Sequence, residues 1–69
     1  MKLSARNMLK GTVQRINAGA VNSEVIIQTA GSETLVAVIT KGSVESLGLQ
    51  EGKEVYAVIK ASNVMVAVD

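Results

Sequence analysis

Three short segments of this 69-residue chain are apolar at every position, and they limit its fold more than any other feature. They are Val25-Ile26-Ile27, Leu35-Val36-Ala37-Val38-Ile39 and Val64-Met65-Val66-Ala67-Val68. A strand of a small barrel normally alternates apolar residues, which face inward, with polar residues, which face water. Strands that are apolar on both faces need cover on both. The sequence therefore predicts that their outer faces are buried between subunits.

The composition also favours an oligomer. A chain of 69 residues forms one domain, here residues 1–69, and a domain of this size buries only about 60% of the surface that its unfolded chain exposes. The chain contains no Cys and no His, which removes disulfides and the usual zinc or copper sites. Association of subunits is the means of stabilisation that remains.

Charge and aromatic content argue against nucleic acid and membranes as partners. Seven basic and six acidic residues give a net charge of +1, without the clustered basic footprint of a nucleic-acid binder. Tyr56 is the only aromatic residue, whereas single-strand binders stack bases on aromatic platforms. No apolar run approaches the ~20 residues of a membrane-spanning helix, and no signal peptide is recognisable. We therefore expect a soluble, cytoplasmic protein.

The hydrophobic pattern predicts five strands and one short helix. Strands are expected at residues 8–16, 21–29, 33–40, 54–60 and 64–68, with a turn at 17–20 and a hairpin loop at 30–32. The helix is expected within residues 40–49, capped by Thr40 or Ser43 and ended by Gly48 in the left-handed conformation. Val44 and Leu47 are three residues apart and are expected to face the core together.

Three strands, a helix and two more strands follow one another in the order of an OB fold. The predicted fold is all-β, a five-stranded Greek-key OB-like barrel with one short helix between strands 3 and 4. An SH3-like barrel is the main alternative, but it offers no ready place for the helix.

The sequence offers no catalytic machinery. Without Cys or His, and with serines that no motif places beside a base, no nucleophile–base pair can be assembled. Paired carboxylates in a polar setting and a phosphate-binding glycine loop are also missing. The sequence predicts a binding protein with no catalytic residues, no catalytic cofactor and no metal cation.

Hydrogen-bond donors are concentrated at the two ends of the chain. The opening segment holds Ser4, Arg6 and Asn7, the closing segment holds Lys60 and Ser62, and neither contains an acid. Such donors, together with backbone amides in small-residue turns, can line an oxyanion site. The alternative is that they are ordinary solvated residues at strand ends, and the residue types alone leave both interpretations open.

Four stretches of the chain resemble the signatures of the molbindin (Mop) family of small molybdate-binding proteins, in the same order and spacing. The resemblance covers essentially the whole chain, and the opening stretch is its most specific part. The stretches are Ser4-Ala5-Arg6-Asn7-x-Leu9-Lys10-Gly11, Gly19-x-Val21-Asn22-Ser23-Glu24-Val25, Ser43-Val44-Glu45-x-Leu47-Gly48-Leu49 and Val58-Ile59-Lys60-Ala61-Ser62-x-Val64-Met65.

The resemblance implies a homohexamer, a trimer of dimers with exchanged strands, that holds molybdate or tungstate at subunit interfaces for storage or homeostasis. It implies a first oxyanion site in which one subunit supplies Ser4, Ala5 and Arg6 and its neighbour supplies Lys60, Ala61 and Ser62. The alanines would act through their backbone amides. It also implies a second site, near three-fold axes, for which the expected residues are Gly19, Ala20, Val21, Asn22 and Ser23.

Two other functions are alternatives to storage. One is an oligomerisation or sensing module that reports the oxyanion to another protein, because related domains occur fused to transport ATPases and transcription regulators. The other is an OB-type nucleic-acid binder, which the charge balance and the single aromatic residue disfavour.

Overall fold

The structure is a computed structural model that describes residues 1–69, and it contains one antiparallel sheet of four strands in the order β3-β2-β1-β4. A short helix connects β3 to β4. The elements are β1 (Asn7–Ala18), β2 (Asn22–Thr29), β3 (Thr34–Thr40), α1 (Lys41–Ser46), β4 (Glu54–Ile59) and a 3₁₀ turn at Ala61–Asn63. The prediction of an all-β domain with a helix between strands 3 and 4 is confirmed, as are the approximate positions of the first four strands.

The long strand β1 organises the sheet, because it pairs with β4 along its first half and with β2 along its second half. At Gly11 it is paired with both neighbours, with Thr29 on one side and Val55 on the other. A Cβ on Gly11 would lie 2.7 Å from the Gln28 carbonyl oxygen, so only glycine fits this close approach. A register shift between Val13 and Arg15 follows, and such bulges increase the bend of a strand.

The buried core is small. Only five of 69 residues are buried, and the apolar ones are Val13, Val25 and Ile27, which lie on the inner face of β1 and β2. Partly buried residues from β3, β4 and the helix region pack around them. A core of this size is weak support for an independent domain, which agrees with the expectation that the chain needs a partner.

The helix begins and ends as its sequence indicates. The Thr40 side chain accepts a hydrogen bond of 3.0 Å from the amide of Ser43, and Gly48 has a φ of 62°. Val44 packs against the core, but Leu47 is 59% exposed, so the expectation that both face the core is wrong for Leu47. Leu47 is the C-cap residue of the helix, and it lies at the rim of the core, where it lines an apolar groove beside β3 and β4.

The first turn is also shorter than expected. Because β1 continues to Ala18, the chain turns at residues 19–21 rather than at 17–20, and β2 starts at Asn22.

The fifth predicted strand, at residues 64–68, is absent from the single chain. After the 3₁₀ turn these residues leave the domain, residues 65–69 make no backbone hydrogen bond, and Met65, Val66 and Val68 are each at least 90% exposed. A strand needs a neighbour with a free edge, and this segment, which we call the C-terminal tail, is hydrogen-bonded to neither edge of its own sheet. The five-stranded Greek-key arrangement is therefore not formed within one chain.

An apolar groove of about 630 Å³ lies where a closing strand is missing. Both edge strands, β3 and β4, contribute to its lining, and fifteen of its sixteen lining residues are hydrophobic. The sheet therefore curls without closing. No helix in the structure has the length and the apolar character to cross a membrane.

Candidate anion-binding site

The pairing of β1 with β4 brings the two donor-rich segments to the same end of the sheet. In this antiparallel pair Asn7, the first residue of β1, lies opposite Ile59, the last residue of β4. Arg6 comes immediately before one and Lys60 immediately after the other. Segments more than fifty positions apart in sequence are thus neighbours in the fold.

Free backbone amides accompany these side chains. The closing segment turns in a 3₁₀ conformation, in which the amide of Asn63 donates to the carbonyl of Lys60 over 2.9 Å. The amides of Ala61 and Ser62 donate to no carbonyl, and neither do those of Ser4, Ala5 and Arg6. Successive unpaired N–H groups in a turn form the kind of concave surface that binds anions.

The charged side chains of the two segments at this end of the sheet are all positive. The single ion pair of the structure joins Lys10 Nζ to Glu54 Oε1 over 3.3 Å, further along the same pair of strands. Arg6 and Lys60 have no carboxylate partner, and the segments 4–6 and 60–62 contain no acid. Their two charges remain available to an anion.

Exposure decides how strongly a single chain could hold an anion here. Ser4, Arg6, Lys60, Ala61 and Ser62 are all exposed, and only Ala5 is half-buried. Charge-assisted hydrogen bonds are weakened by surrounding water, because the effective dielectric constant is high. The single chain places the two segments that hold the six predicted residues at the same end of the sheet, but it leaves five of the six exposed to solvent.

The residues predicted for the second site lie at the opposite end of β1. The chain turns there, and the amide of Gly19 donates to the carbonyl of Asn22 over 2.9 Å. Ala20 and Val21 are exposed and their amides are free, whereas Ser23 is only 3% exposed and lies in β2. The structure thus places three of the five residues, 19–21, in the turn. Asn22 begins β2 and accepts from Gly19, and Ser23 lies on the buried face.

Two neighbours of this turn were not predicted as part of the site. The amide of Lys41 donates to the carbonyl of Val21 over 2.9 Å, so the backbone of a lysine lies beside the turn. The carboxylate of Glu24 accepts a hydrogen bond of 3.2 Å from the Asn17 side chain. Only the pairing of β2 with β3 brings Lys41 here, so no local spacing in the sequence could have indicated it.

Neither region has the character of a cation site. No group of three or more His, Cys, Asp or Glu side chains is close enough to hold a metal ion. Unpaired cations and free amides are suited to a negatively charged ligand with several acceptor oxygens.

A comparison with protein families matches residues 3–66 to the TOBE domain. The chain is 48% identical over 69 residues to a probable molybdenum-pterin-binding protein of Haemophilus influenzae, and the match covers all of both chains. It is 44% identical over 66 residues to molybdenum-pterin-binding protein 3 of Clostridium pasteurianum, covering 96% of this chain and 97% of that protein.

Solved structures give the same picture. A molybdate-binding protein from Sporomusa ovata is similar with a TM-score of 0.93 and 38% identity, over 99% of this chain and all of that one. The cytoplasmic molybdate-binding protein ModG, solved with molybdate bound, is similar with a TM-score of 0.91 and 49% identity, over 94% of this chain and 46% of that one. The open sheet with one short helix is therefore the fold of molybdate-binding proteins.

Proposed function

The chain belongs to the TOBE domain family, and within it to the small molybdenum-pterin-binding proteins, and we propose that it binds molybdate or tungstate without turning it over. The membership that the opening and closing stretches of the sequence indicated is confirmed. Molybdate is the ligand named for two similar solved structures. It is a tetrahedral dianion with four acceptor oxygens, and it matches a site made only of donors.

The observation that carries this proposal is the register of β1 and β4. It places two unpaired cations and several free amides at one end of the sheet, with no acid among them. Each charge-assisted hydrogen bond contributes roughly 1.5–3 kcal/mol. Several such bonds offset the cost of removing a dianion from water and leave an affinity that we expect to be micromolar or better.

The proposed first site lies between subunits. One subunit supplies Ser4, Ala5 and Arg6, and its neighbour supplies Lys60, Ala61 and Ser62. The support is that these residues are exposed in the single chain, where water would weaken their hold on an anion. A neighbour that covers this end of the sheet would exclude water and strengthen every donor.

Strand exchange is the proposed means of assembly. The C-terminal tail starts directly after Asn63 and is apolar from residue 64 to 68, while the groove between β3 and β4 is apolar and has two free edges. A tail from a second copy can add to such an edge as an extra strand. This would complete a five-stranded barrel in each subunit, and repeated pairing would give a homohexamer, a trimer of dimers.

The biological role that we propose is storage or homeostasis of the oxyanion in the cytoplasm, where the similar protein ModG is located by its description. Release of the anion would then accompany opening of the interface. Molybdate and tungstate have the same shape and charge, so both are proposed as ligands.

A mixed assembly of two variants tests whether the first site is shared. As pure proteins, the Arg6→Ala and Lys60→Ala variants are each expected to lose high-affinity molybdate binding at the first site. Unfolded together and refolded as mixed oligomers, they regain a fraction of the sites if Arg6 of one subunit meets Lys60 of another. If each site lies within one chain, no mixture regains any site. Equilibrium dialysis with molybdate, followed by metal analysis, measures the number of sites.

One observation favours the sensing module as a second candidate. The chain is 45% identical over 69 residues to the molybdenum transport protein ModE of Azotobacter vinelandii, and the match covers 26% of that protein. The same unit therefore exists inside a longer protein. Native mass spectrometry of the protein from molybdate-grown cells separates the candidates, because an oxometalate-loaded homo-oligomer supports storage and a stable complex with a different protein supports sensing.

A further inference from the structure

We propose that Lys41 supplies the positive charge of the second oxyanion site, at the turn between β1 and β2. The inference rests on the proposed molybdate binding, and it concerns the second oxyanion site that the resemblance to the Mop family implies at residues 19–23. It adds a residue that lies outside the five predicted for that site. The turn has neutral donors of its own, and a dianion also needs a cation to offset its charge.

The position of Lys41 is fixed by the sheet. Asn22 pairs with Thr40 at the end of the β2–β3 ladder, and the amide of Lys41 donates to the carbonyl of Val21 over 2.9 Å. The backbone of Lys41 is therefore hydrogen-bonded to Val21, and the amides of Val21 and its neighbour Ala20 are free. The turn itself is held by the hydrogen bond from Gly19 to Asn22, so the free amides and the backbone of Lys41 are positioned before a ligand arrives.

The charge of Lys41 is not used elsewhere in the structure. Of the other lysines, Lys10 is paired with Glu54 and Lys53 Nζ donates to the carbonyls of Leu47 and Gly48, over 2.8 and 3.2 Å. Lys41 is exposed and makes no ion pair and no side-chain hydrogen bond. Its ammonium group is therefore unpaired, and its backbone is hydrogen-bonded to the turn that holds the free amides.

The surroundings of Lys41 leave room for an anion and hold little negative charge. The first turn of α1 contains no acid, and Glu45, the one acid of the helix, makes no ion pair with Lys41. A Cβ on Gly42 would have no atom within 4 Å. The hydroxyls of Thr40 and Ser43 are hydrogen-bonded to each other over 2.7 Å. The nearest acid in sequence to the turn is Glu24, which already accepts a hydrogen bond from Asn17.

The test compares Lys41→Met with Arg15→Met in the full-length oligomer. Both variants remove one exposed cation that has no carboxylate partner, but Arg15 lies on β1 and not at the turn. Molybdate is titrated by calorimetry, first into these proteins and then into each of them carrying Lys60→Ala, which weakens the first site. Lys41→Arg tests rescue, because it keeps the charge. Circular dichroism checks that every variant is folded.

We expect Lys41→Met to weaken the second class of sites about tenfold or more, as the loss of one charge-assisted hydrogen bond implies. The first class should keep its affinity, Arg15→Met should change neither class, and Lys41→Arg should restore most of the binding. In the Lys60→Ala background, only Lys41→Met should weaken the second class of sites, whose affinity Lys60→Ala by itself leaves unchanged.

Four outcomes would overturn the inference. If Lys41→Met binds molybdate in both classes as the parent does, Lys41 is not part of the site. If the parent has only one class of sites, there is no second site for Lys41 to serve. Both results leave the proposed function intact. Equal weakening by Arg15→Met shows a general effect of net charge. A parent that binds no molybdate at all refutes the proposed function as well, so the two failures are distinguishable.

Discussion

Replacement of Lys60 by alanine tests the first site most directly. The Lys60 side chain makes no ion pair and no hydrogen bond in the single chain, and its carbonyl accepts from Asn63 whatever the side chain is. The fold should therefore survive the change. What is lost is one charge-assisted hydrogen bond to the anion, worth roughly 1.5–3 kcal/mol, which corresponds to about one to two orders of magnitude in the dissociation constant.

The size of this loss of affinity also shows whether the site is exposed to solvent or buried between subunits. Lys60 is exposed in the single chain, so a site that stays in solvent should lose about tenfold, at the low end of the range of charged hydrogen bonds. A site buried between subunits should lose about a hundredfold, because the same charge then acts in a medium of lower dielectric constant.

Lys10→Ala is the matched control for Lys60→Ala. Lys10 is also an exposed lysine of the β1–β4 pair, but it is paired with Glu54 and lies away from the end of the sheet. Calorimetric titration with molybdate should show weaker binding only for Lys60→Ala. Parent-like affinity in Lys60→Ala would refute the placement of the site, and equal losses in the two variants would show that net charge alone is being measured.

Three further predictions concern packing, assembly and selectivity. Gly11→Ala should destabilise the protein by about 1–3 kcal/mol in denaturant unfolding, because its Cβ would lie 2.7 Å from both the Gln28 carbonyl and the Ile27 side chain; unchanged stability would mean that the strands can separate without cost. Val66→Glu should break assembly and stability together, since Val66 is 90% exposed in the single chain and needs cover; a folded, monomeric parent in sedimentation at micromolar concentration would contradict the obligate oligomer. At neutral pH phosphate should bind at least about tenfold more weakly than molybdate, because it always carries an O–H group and the first site offers that proton no carboxylate. Competition calorimetry decides the last point, and displacement of molybdate at comparable phosphate concentration would reveal an acceptor in the site.

The sequence could predict the first site only in part, because the site depends on the register between β1 and β4. The residue types indicated an anion site or two solvated strand ends, and the resemblance to the Mop family favoured the first. The pairing of Asn7 with Ile59 then placed the two segments side by side. No pattern within either segment contains this pairing, because it joins strand ends that are more than fifty positions apart in the chain.

The sequence by itself determined the local features of the fold. Alternation and turn residues located four strands, Thr40 marked the start of the helix, and Gly48 supplied the left-handed residue after it. These features depend on interactions between residues close together in the chain, such as a hydroxyl that accepts from an amide three positions on.

Only the tertiary structure decided where the C-terminal tail and Lys41 lie. Residues 64–68 have the composition of a strand, but a strand exists only where an edge offers hydrogen bonds, and in the single chain the tail pairs with neither edge of the sheet. Lys41 is 20 positions from Val21 in sequence, and the β2–β3 pairing alone brings its amide to the turn. Contacts of this kind join distant segments, so they follow from the three-dimensional path of the chain and not from the pattern of any one stretch.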